Sequence, residues 1–398
     1  MRSLSLVFIL WVATASGETA AGALRPHLGP AIRMPARIFT PEMVALIKTG
    51  KPYSELFRHT TSTGAAQGAS KWYKRIPLSR WEELISPFAP VSVTGGTWNR
   101  RGKCPFCAKP FEGCSMTDEE FFSVPFRAKT RCCGHTVYAR VEEMPADYPA
   151  RPNHTEPIPH LDGTVHDYAF YVPPGCEEDR TNWFCSAGEV WRTRQRIIVD
   201  ILFPYTSAVF CNDDGQAALQ LAAILDRLAD VFPGYPLYDS QMPHGLARGR
   251  DGKSYLTREE YLAVPRPQPF EKPFWFRWEN WHFDKLPGSS RFGGWHNGAM
   301  MQAGVLAAGF DMIRDRPEVK DWSAAKYGSP DTFEKRVMEH VFKEYQLLFK
   351  SVPAKRNNTI WTWIRGAIPL GILMQDEYFL REAVAHFESN IINNYFSD

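Results

Sequence analysis

Apolar residues recur at helical spacing through the second half of this 398-residue chain. One such face, in residues 216–232, is formed by Leu221, Leu225, Leu228 and Phe232. The spacing recurs in residues 298–314, 331–349 and 377–393, and prolines or glycines separate the stretches. Consecutive amphipathic helices joined by long loops predict a mainly α fold. We expect an incomplete α/α toroid of antiparallel helix pairs over residues 188–398, with a cleft at its loop ends.

The sequence has a different character before residue 188. Residues 16–70 are rich in Pro, Gly and Ser, which indicates an extended segment with one short helix at residues 41–48. Residues 71–187 alternate short β-branched or aromatic runs with Pro, Gly and Asp. This pattern predicts a small module of short strands and long loops, including strands near residues 91–93, 136–141 and 168–172.

Five residues of metal-ligating types, four Cys and one His, cluster within that module. Cys104 and Cys107 have C-x2-C spacing, and Cys132, Cys133 and His135 follow 25 residues later. Two such turns bring four soft ligands onto one tetrahedral ion, as in a zinc ribbon. Cys132 with His135 restores the x2 spacing best, with Cys133 as the alternative for either. The sequence thus predicts a structural zinc site spanning residues 104–135, with disulfides inside the cluster as the competing interpretation.

The remaining cysteines give weaker signals. Cys176 and Cys185 flank a short segment and could form a disulfide, whereas Cys114 and Cys211 have no evident partner. Asp213 and Asp214 near a helix start are expected to cap it.

The N-terminus has the composition of a secretory signal. Arg2 precedes an apolar stretch over residues 4–12, and residues 13–15 are small. We therefore expect a signal peptide over residues 1–15 and a secreted or periplasmic protein. No later stretch is long and apolar enough to predict a membrane span. The net charge of +2 disfavours a general nucleic-acid-binding protein. The sequence contains no Gly-rich phosphate-binding loop, so we expect no organic cofactor.

Aromatic residues make up 14% of the chain, and several lie beside amides and arginines. Asn357, Asn358, Trp361 and Arg365 occur within nine residues near the C-terminus. Amides and a guanidinium can hydrogen-bond a carboxylate, and an indole offers a flat face to a sugar ring. Candidate substrate contacts elsewhere are Trp278, Trp281 and His296. Helix capping by the Asn pair and ordinary core packing of the aromatic side chains remain the alternatives.

Three motifs resemble one family. Residues 228–236 resemble the end of an early toroid helix in the heparinase II/III-like polysaccharide lyases. Asn357 and Asn358, before a Trp-containing helix, resemble their Asn-Asn-His motif, and residues 394–398 resemble the stretch that leads into their catalytic tyrosine. The resemblance covers residues 190–398. It implies β-elimination on a uronic-acid-containing glycan, with Asn358 matching the residue that neutralises the substrate carboxylate.

The chain departs from the family pattern at two points. Thr359 stands where the family has His, and the tyrosine and a C-terminal β-sandwich are expected beyond Asp398. The resemblance therefore implies that this chain is the N-terminal, substrate-binding part of a lyase that acts on an acidic polysaccharide. A glycoside hydrolase on the same toroid and a non-catalytic glycan-binding protein are the alternatives.

Overall fold

The structure is a computed structural model, and it describes most of the chain between residues 76 and 387. The described residues are 36–42, 44–45, 67–68, 76–88, 102–237, 246, 253–263, 296–351 and 360–387. Of the interpretable residues, 56% are helical, and the strands form small antiparallel sheets. The predicted mainly α fold is therefore confirmed, whereas the α/α toroid stays a prediction.

The first part of the described chain contains short elements. They are α1 (Trp81–Leu84), β1 (Cys114–Ser115), α2 (Asp118–Phe122), β2 (Arg127–Thr130), β3 (Thr136–Tyr138), β4 (His154–Pro159) and β5 (Val165–Phe170). Strands β1, β2 and β3 form one antiparallel sheet in that order, with Ala128 opposite Val137. Strands β4 and β5 form a separate antiparallel hairpin. We call residues 102–184 the cysteine module.

The predicted strands correspond only partly to these elements. The strand expected at residues 136–141 begins where β3 begins but β3 ends at Tyr138, and the strand expected at residues 168–172 overlaps β5, which begins and ends earlier in the chain. The strand expected at residues 91–93 lies outside the described residues, as does the signal peptide expected over residues 1–15.

Longer helices follow the module. They are α3 (Ser186–Asn212), α4 (Gly215–Val231), α5 (Arg258–Ala263), α6 (His296–Ile313), α7 (Pro317–Tyr327), α8 (Thr332–Val337), α9 (Lys343–Ser351), α10 (Ile360–Met374) and α11 (Glu377–Phe387). A π-helical segment, Met338–Phe342, joins α8 to α9. We call residues 186–387 the helical region. Each of the four predicted amphipathic stretches is helical where the structure describes it, except for single turn residues at the ends of three of them.

Helix α4 begins and buries its apolar face as the spacing of its apolar residues predicts. The Asp214 carboxylate accepts the backbone N–H groups of Gln216 and Ala217, both at 3.0 Å, so the expected cap is confirmed. Asp213 ends α3 in the left-handed conformation, with φ of 53°, and its carboxylate pairs with Arg316. The predicted apolar face of α4 is buried, since Leu221, Leu225 and Leu228 are each at most 2% exposed.

Glycines bring α6 and α10 into backbone contact. An added Cβ at Gly366 would overlap the carbonyl oxygen of Met300, and one at Gly304 would overlap the backbone at Gly366. Only residues without a side chain permit two helices to approach so closely. The two helices therefore pack with their backbones in direct contact at these glycines.

One hydrophobic core runs through both regions. It extends from Phe111 and Phe121 in the cysteine module, through Ile198 and Leu225, to Leu380 in α11. Trp81 joins the N-terminal residues to this core, because its indole N–H donates to the side-chain oxygen of Gln220 at 2.6 Å. None of the helices that the structure describes is long and apolar enough to cross a membrane.

Candidate metal centre

Two backbone turns with the same hydrogen bonds carry the candidate ligands. In the first, Cys104 N–H donates to Lys109 O at 2.8 Å, and Ala108 N–H donates to Cys104 O at 2.9 Å. In the second, Thr130 N–H donates to His135 O at 2.9 Å, and Gly134 N–H donates to Thr130 O at 2.8 Å. Corresponding residues of the two turns therefore make the same backbone hydrogen bonds. Thr130 takes the place of Cys104, and Cys133 takes the place of Cys107.

The residue after the last cysteine of each turn has left-handed backbone geometry. Ala108 has φ of 58°, and Gly134 has φ of 72°. Gly134 adopts this conformation without steric cost, whereas Ala108 is strained and must be held by its surroundings. The hydrogen bond from Ala108 N–H closes its turn and holds it there.

Four sulfur atoms meet between the turns. Cys104 Sγ lies 3.8 Å from Cys133 Sγ, and Cys107 Sγ lies 3.8 Å from Cys132 Sγ. All four sulfurs lie within 4.8 Å of one another. A disulfide would need a separation of about 2.05 Å. The competing interpretation of disulfides inside the cluster therefore does not hold in this structure, where all eight cysteines are free.

The sulfur spacing fits a tetrahedral ion. Zinc–thiolate bonds of about 2.3 Å in a regular tetrahedron place the sulfurs about 3.8 Å apart. Two of the sulfur pairs have this separation. Four thiolates without a carboxylate or water position suit zinc, and iron is the other ion that prefers such a sulfur set.

Hydrogen bonds favour the thiolate at Cys133. Thr130 Oγ1 accepts the backbone N–H of His135 at 3.0 Å, which leaves its hydroxyl hydrogen for Cys133 Sγ, 3.1 Å away. Burial raises the pKa of the Cys133 thiol, but hydrogen bonds from Thr130 and His135 outweigh it and lower that pKa to about 7. At Cys104 and Cys132, burial raises the thiol pKa instead. Metal binding must therefore release protons from these two thiols.

His135 lies outside the sulfur cluster, so the ligand set expected from the x2 spacing needs correction. The structure groups Cys104, Cys107, Cys132 and Cys133, whereas the expected set was Cys104, Cys107, Cys132 and His135. The His135 ring is exposed and stacks on Phe106, with centroids 4.4 Å apart and an interplanar angle of 11°. The physical reason is that the second turn begins at Thr130, so Cys133 occupies the position that Cys107 has in the first turn. Gly134, directly after Cys133, was the sequence signal that could have shown where this turn begins and ends.

Aromatic and hydroxyl contacts attach the metal turns to the helical region. Phe106 and Phe111 pack edge-on against Phe184, with centroids 5.8 and 5.6 Å apart. Ser186, the first residue of α3, accepts the N–H of Tyr138 at 3.0 Å and donates to its carbonyl at 2.7 Å. The candidate metal centre therefore lies on a framework that is continuous with the N-terminus of α3.

The other cysteines do not join the cluster. Cys185 N-caps α3, because its sulfur accepts the N–H of Gly188 at 3.3 Å, and it is not bonded to Cys176. The disulfide considered for this pair is therefore absent. Cys114 is buried and Cys211 is half-buried on α3.

Most candidate glycan contacts fall outside what the structure describes. Asn357, Asn358, Trp278 and Trp281 lie outside the described residues. His296 and Trp361 are the first residue of α6 and the second of α10, and the description does not extend to their side chains. Their expected roles remain predictions.

Arg365 is the one glycan candidate whose side chain is described, and it is exposed on α10. A salt bridge to Asp376 or Glu377 was its alternative role. Asp376 instead pairs with Lys350, and Glu377 with Arg381.

Comparisons with family models, with characterised proteins and with solved structures give no match. Functional inference for this chain therefore depends on the chemistry of its own residues.

Proposed function

We propose that Cys104, Cys107, Cys132 and Cys133 hold one structural zinc ion. The single observation that supports this most directly is the 3.8 Å spacing of the two sulfur pairs. Four protein ligands complete a tetrahedron, so the ion has no position for a reacting water. Its role is to fix the two turns that carry it and, through Phe106, the packing of the cysteine module on Phe184.

Metal analysis of the purified full chain tests this proposal. We expect about one zinc per chain. The Cys107→Ser variant should lose it, because a neutral hydroxyl is a poor replacement for a thiolate. Cys176→Ser is the matched control, since Cys176 is also a half-buried thiol of the cysteine module but lies outside the cluster. A protein without metal, or iron in place of zinc, would contradict the assignment.

We also propose that the protein is a polysaccharide lyase that cleaves a uronic-acid-containing glycan, and that residues 190–398 contribute to substrate binding. The support is the resemblance of residues 190–398 to the heparinase II/III-like lyases, together with one structural relation. Asn357 and Asn358 come shortly before α10 in the sequence, separated from it by Thr359, and the segment with Trp278 and Trp281 precedes α6. Helices α6 and α10 touch through Gly304 and Gly366. The two candidate segments thus lead into helices that pack together.

The proposed chemistry assigns one task to the Asn358 carboxamide. Proton abstraction at C5 moves negative charge onto the neighbouring carboxylate. A hydrogen bond from an amide N–H to this carboxylate becomes stronger as the charge develops. Arg365, exposed on α10, supplies a guanidinium that can pair with a carboxylate or sulfate of the glycan. Because Thr359 stands where the family has His, the matching motif residues of this chain do not assign the base.

Two substitutions at Asn358 in the full-length protein separate catalysis from capping. Asn358→Ala should lower kcat by about two to three orders of magnitude if the amide is an oxyanion-type donor. Asn358→Asp should cap a helix as well as Asn does, but its charge repels the substrate carboxylate. We therefore expect the Asp variant to keep the melting temperature and lose turnover. Normal turnover in the Asp variant would show that Asn358 only caps the helix.

The product distinguishes lyase activity from the two alternatives. β-Elimination leaves a C4=C5 double bond conjugated with the carboxylate, which absorbs in the ultraviolet. Sugar release without that absorbance would indicate a glycoside hydrolase, whose two carboxylates would lie about 5–10 Å apart. Saturable glycan binding without turnover would indicate a binding protein.

A further inference from the structure

The β1–β2–β3 sheet packs on α3 with one face and presents the other face to solvent. Ala128 and Thr130 of β2 and Val137 of β3 are each at most 1% exposed, and they mark the buried face. Successive side chains of a strand point to opposite faces. The residues that alternate with these three therefore lie on the solvent face.

Three cations form a row along this solvent face. Arg127 and Lys129 alternate with the buried residues of β2, Arg131 follows directly after the strand, and all three are exposed. The pairing with the β1 side continues at Arg131, because its N–H donates to Gly113 O at 3.0 Å. With a rise of about 3.3 Å per residue, the row is about 13 Å long. An elongated anion is the ligand shape that could contact the whole row at once.

The charges of the row are only partly compensated. Lys129 Nζ lies 3.8 Å from Glu120 Oε1, and the other Glu120 oxygen accepts the N–H of Thr117 at 2.9 Å. Arg131 donates through Nε to Cys114 O at 3.1 Å, which leaves its Nη groups for another acceptor. Neither arginine of the row forms an ion pair with a residue that the structure describes. The two ends of the row therefore offer positive charge to a ligand.

Hydroxyl groups flank the middle of the row. Ser115 of β1 and Thr136 of β3 are the register partners of Lys129, and directly opposed residues of an antiparallel pair share a face. A hydroxyl can both donate and accept, as the hydroxyls of a sugar do. A guanidinium pairs with both oxygens of a carboxylate. This combination fits a sugar chain that carries acidic groups.

The same face suits a nucleic acid less well. The net charge of the chain is only +2, so no broad positive field accompanies the row. Proteins that bind single strands without sequence preference also use aromatic side chains on which the bases stack. Among the described strand residues of this face, the aromatic one is Tyr138, which is half-buried with its ring edge-on to Tyr148, centroids 5.7 Å apart.

We propose that the solvent face of the β1–β2–β3 sheet binds an acidic polysaccharide chain that lies along β2, with carboxylate or sulfate groups on Arg127 and Arg131. This face belongs to the cysteine module and lies outside residues 190–398, so it is a second glycan contact without a catalytic role. The choice of a glycan as the anion rests on the proposed function, whereas the cationic row does not.

Direct binding of heparin oligosaccharides to the full chain tests the proposal, because heparin carries both carboxylates and sulfates. Dextran oligosaccharides of the same length are the uncharged probe, and oligothymidylate of the same total charge is the nucleic-acid probe. At constant ionic strength we expect saturable binding of heparin, none of dextran and weaker binding of oligothymidylate. No saturable heparin binding, or oligothymidylate binding as tight as that of heparin, would overturn the proposal.

Variants place the contact on the sheet. Arg127→Gln combined with Arg131→Gln removes both forks, so heparin affinity should fall about tenfold or more. Lys335→Gln combined with Lys343→Gln is the matched control, because it removes the same charge from two exposed residues of the helical region. Its affinity should change by less than about twofold. Unchanged affinity in the arginine pair, or an equal loss in the lysine pair, would overturn the assignment.

Zinc content is measured on the same variants, because Arg131 directly precedes Cys132. If the arginine pair loses metal, Arg127→Gln alone decides, and its heparin affinity should fall about threefold. Lyase turnover is read separately, from the ultraviolet absorbance of the product. Heparin binding that depends on the two arginines, without turnover on any uronate polymer, would contradict the lyase and support this surface. Turnover with unchanged heparin affinity in the arginine variants would do the reverse.

Discussion

The cysteine module and the helical region are ordered by different means. In the module, strands of two to six residues form two small sheets, and the metal turns are closed by a few backbone hydrogen bonds. In the helical region, α3 has 27 residues and α4 buries a complete apolar face. Burial of side chains stabilises the helices, whereas short strands in a module with few apolar faces gain less from it. The proposed ion would supply the missing stabilisation.

Both regions nevertheless share one hydrophobic core. The comparison therefore raises a question about cooperativity: whether the module unfolds as a unit of its own or only together with α3.

Removal of the metal should loosen the cysteine module and leave the helices folded. Structural zinc contributes an apparent binding free energy of about 10–16 kcal/mol in small zinc modules at neutral pH, which is then lost. Hydrogen exchange after chelation should show fast exchange of the Cys104 and Thr130 amides, which close the two turns. The amides of α4 should remain protected. Simultaneous exchange in both regions would mean that the shared core makes the molecule one cooperative unit.

A single methyl group at Gly366 should have the opposite effect, destabilising the helical region without altering the metal. The new Cβ overlaps the Met300 carbonyl, which is backbone and cannot move aside. We expect Gly366→Ala to lower the free energy of unfolding by about 3 kcal/mol. Zinc content should remain unchanged.

Gly309→Ala is the control for this substitution. Its Cβ would lie 3.1 Å from the Thr206 hydroxyl, and it also lies in α6. The gain in helix propensity, up to about 1 kcal/mol, should offset the mild contact. Equal destabilisation by the two alanines, measured by denaturant unfolding, would show that α6 and α10 do not touch as closely as the structure places them.

The two regions also differ in how much of their structure could be predicted from sequence. Helix α4 was predictable because one period of 3.6 residues records both the helix and its buried face, and Asp214 marks its start. The metal turns were predictable only in part. Spacing alone favoured Cys132 with His135, whereas the second turn runs from Thr130 to Cys133, and no cysteine stands at its first position.

The burial of Arg194 in α3 was not predictable from sequence. An arginine within an amphipathic helix is usually a solvated residue, and nothing local indicates that Phe121 and Phe126, some 70 residues earlier in the chain, enclose it. Its burial arises from the packing of the cysteine module on α3. Such long-range contacts leave no periodic signal in the sequence.

The smallest expected effect belongs to His135, and it tests the corrected ligand set. Because its ring stacks on Phe106 and lies outside the sulfur cluster, His135→Ala should leave zinc content and zinc affinity unchanged. Loss of the stacked pair should lower the free energy of unfolding by about 1 kcal/mol. Cys133→Ala in the same background should instead release the metal, because three thiolates leave the tetrahedron open. Competition with a chromophoric chelator measures both affinities. If His135→Ala lost zinc and Cys133→Ala kept it, the ligand set expected from the x2 spacing, with Cys132 and His135, would be right. The equivalent hydrogen bonds of the Cys104 and Thr130 turns would then have no bearing on metal binding.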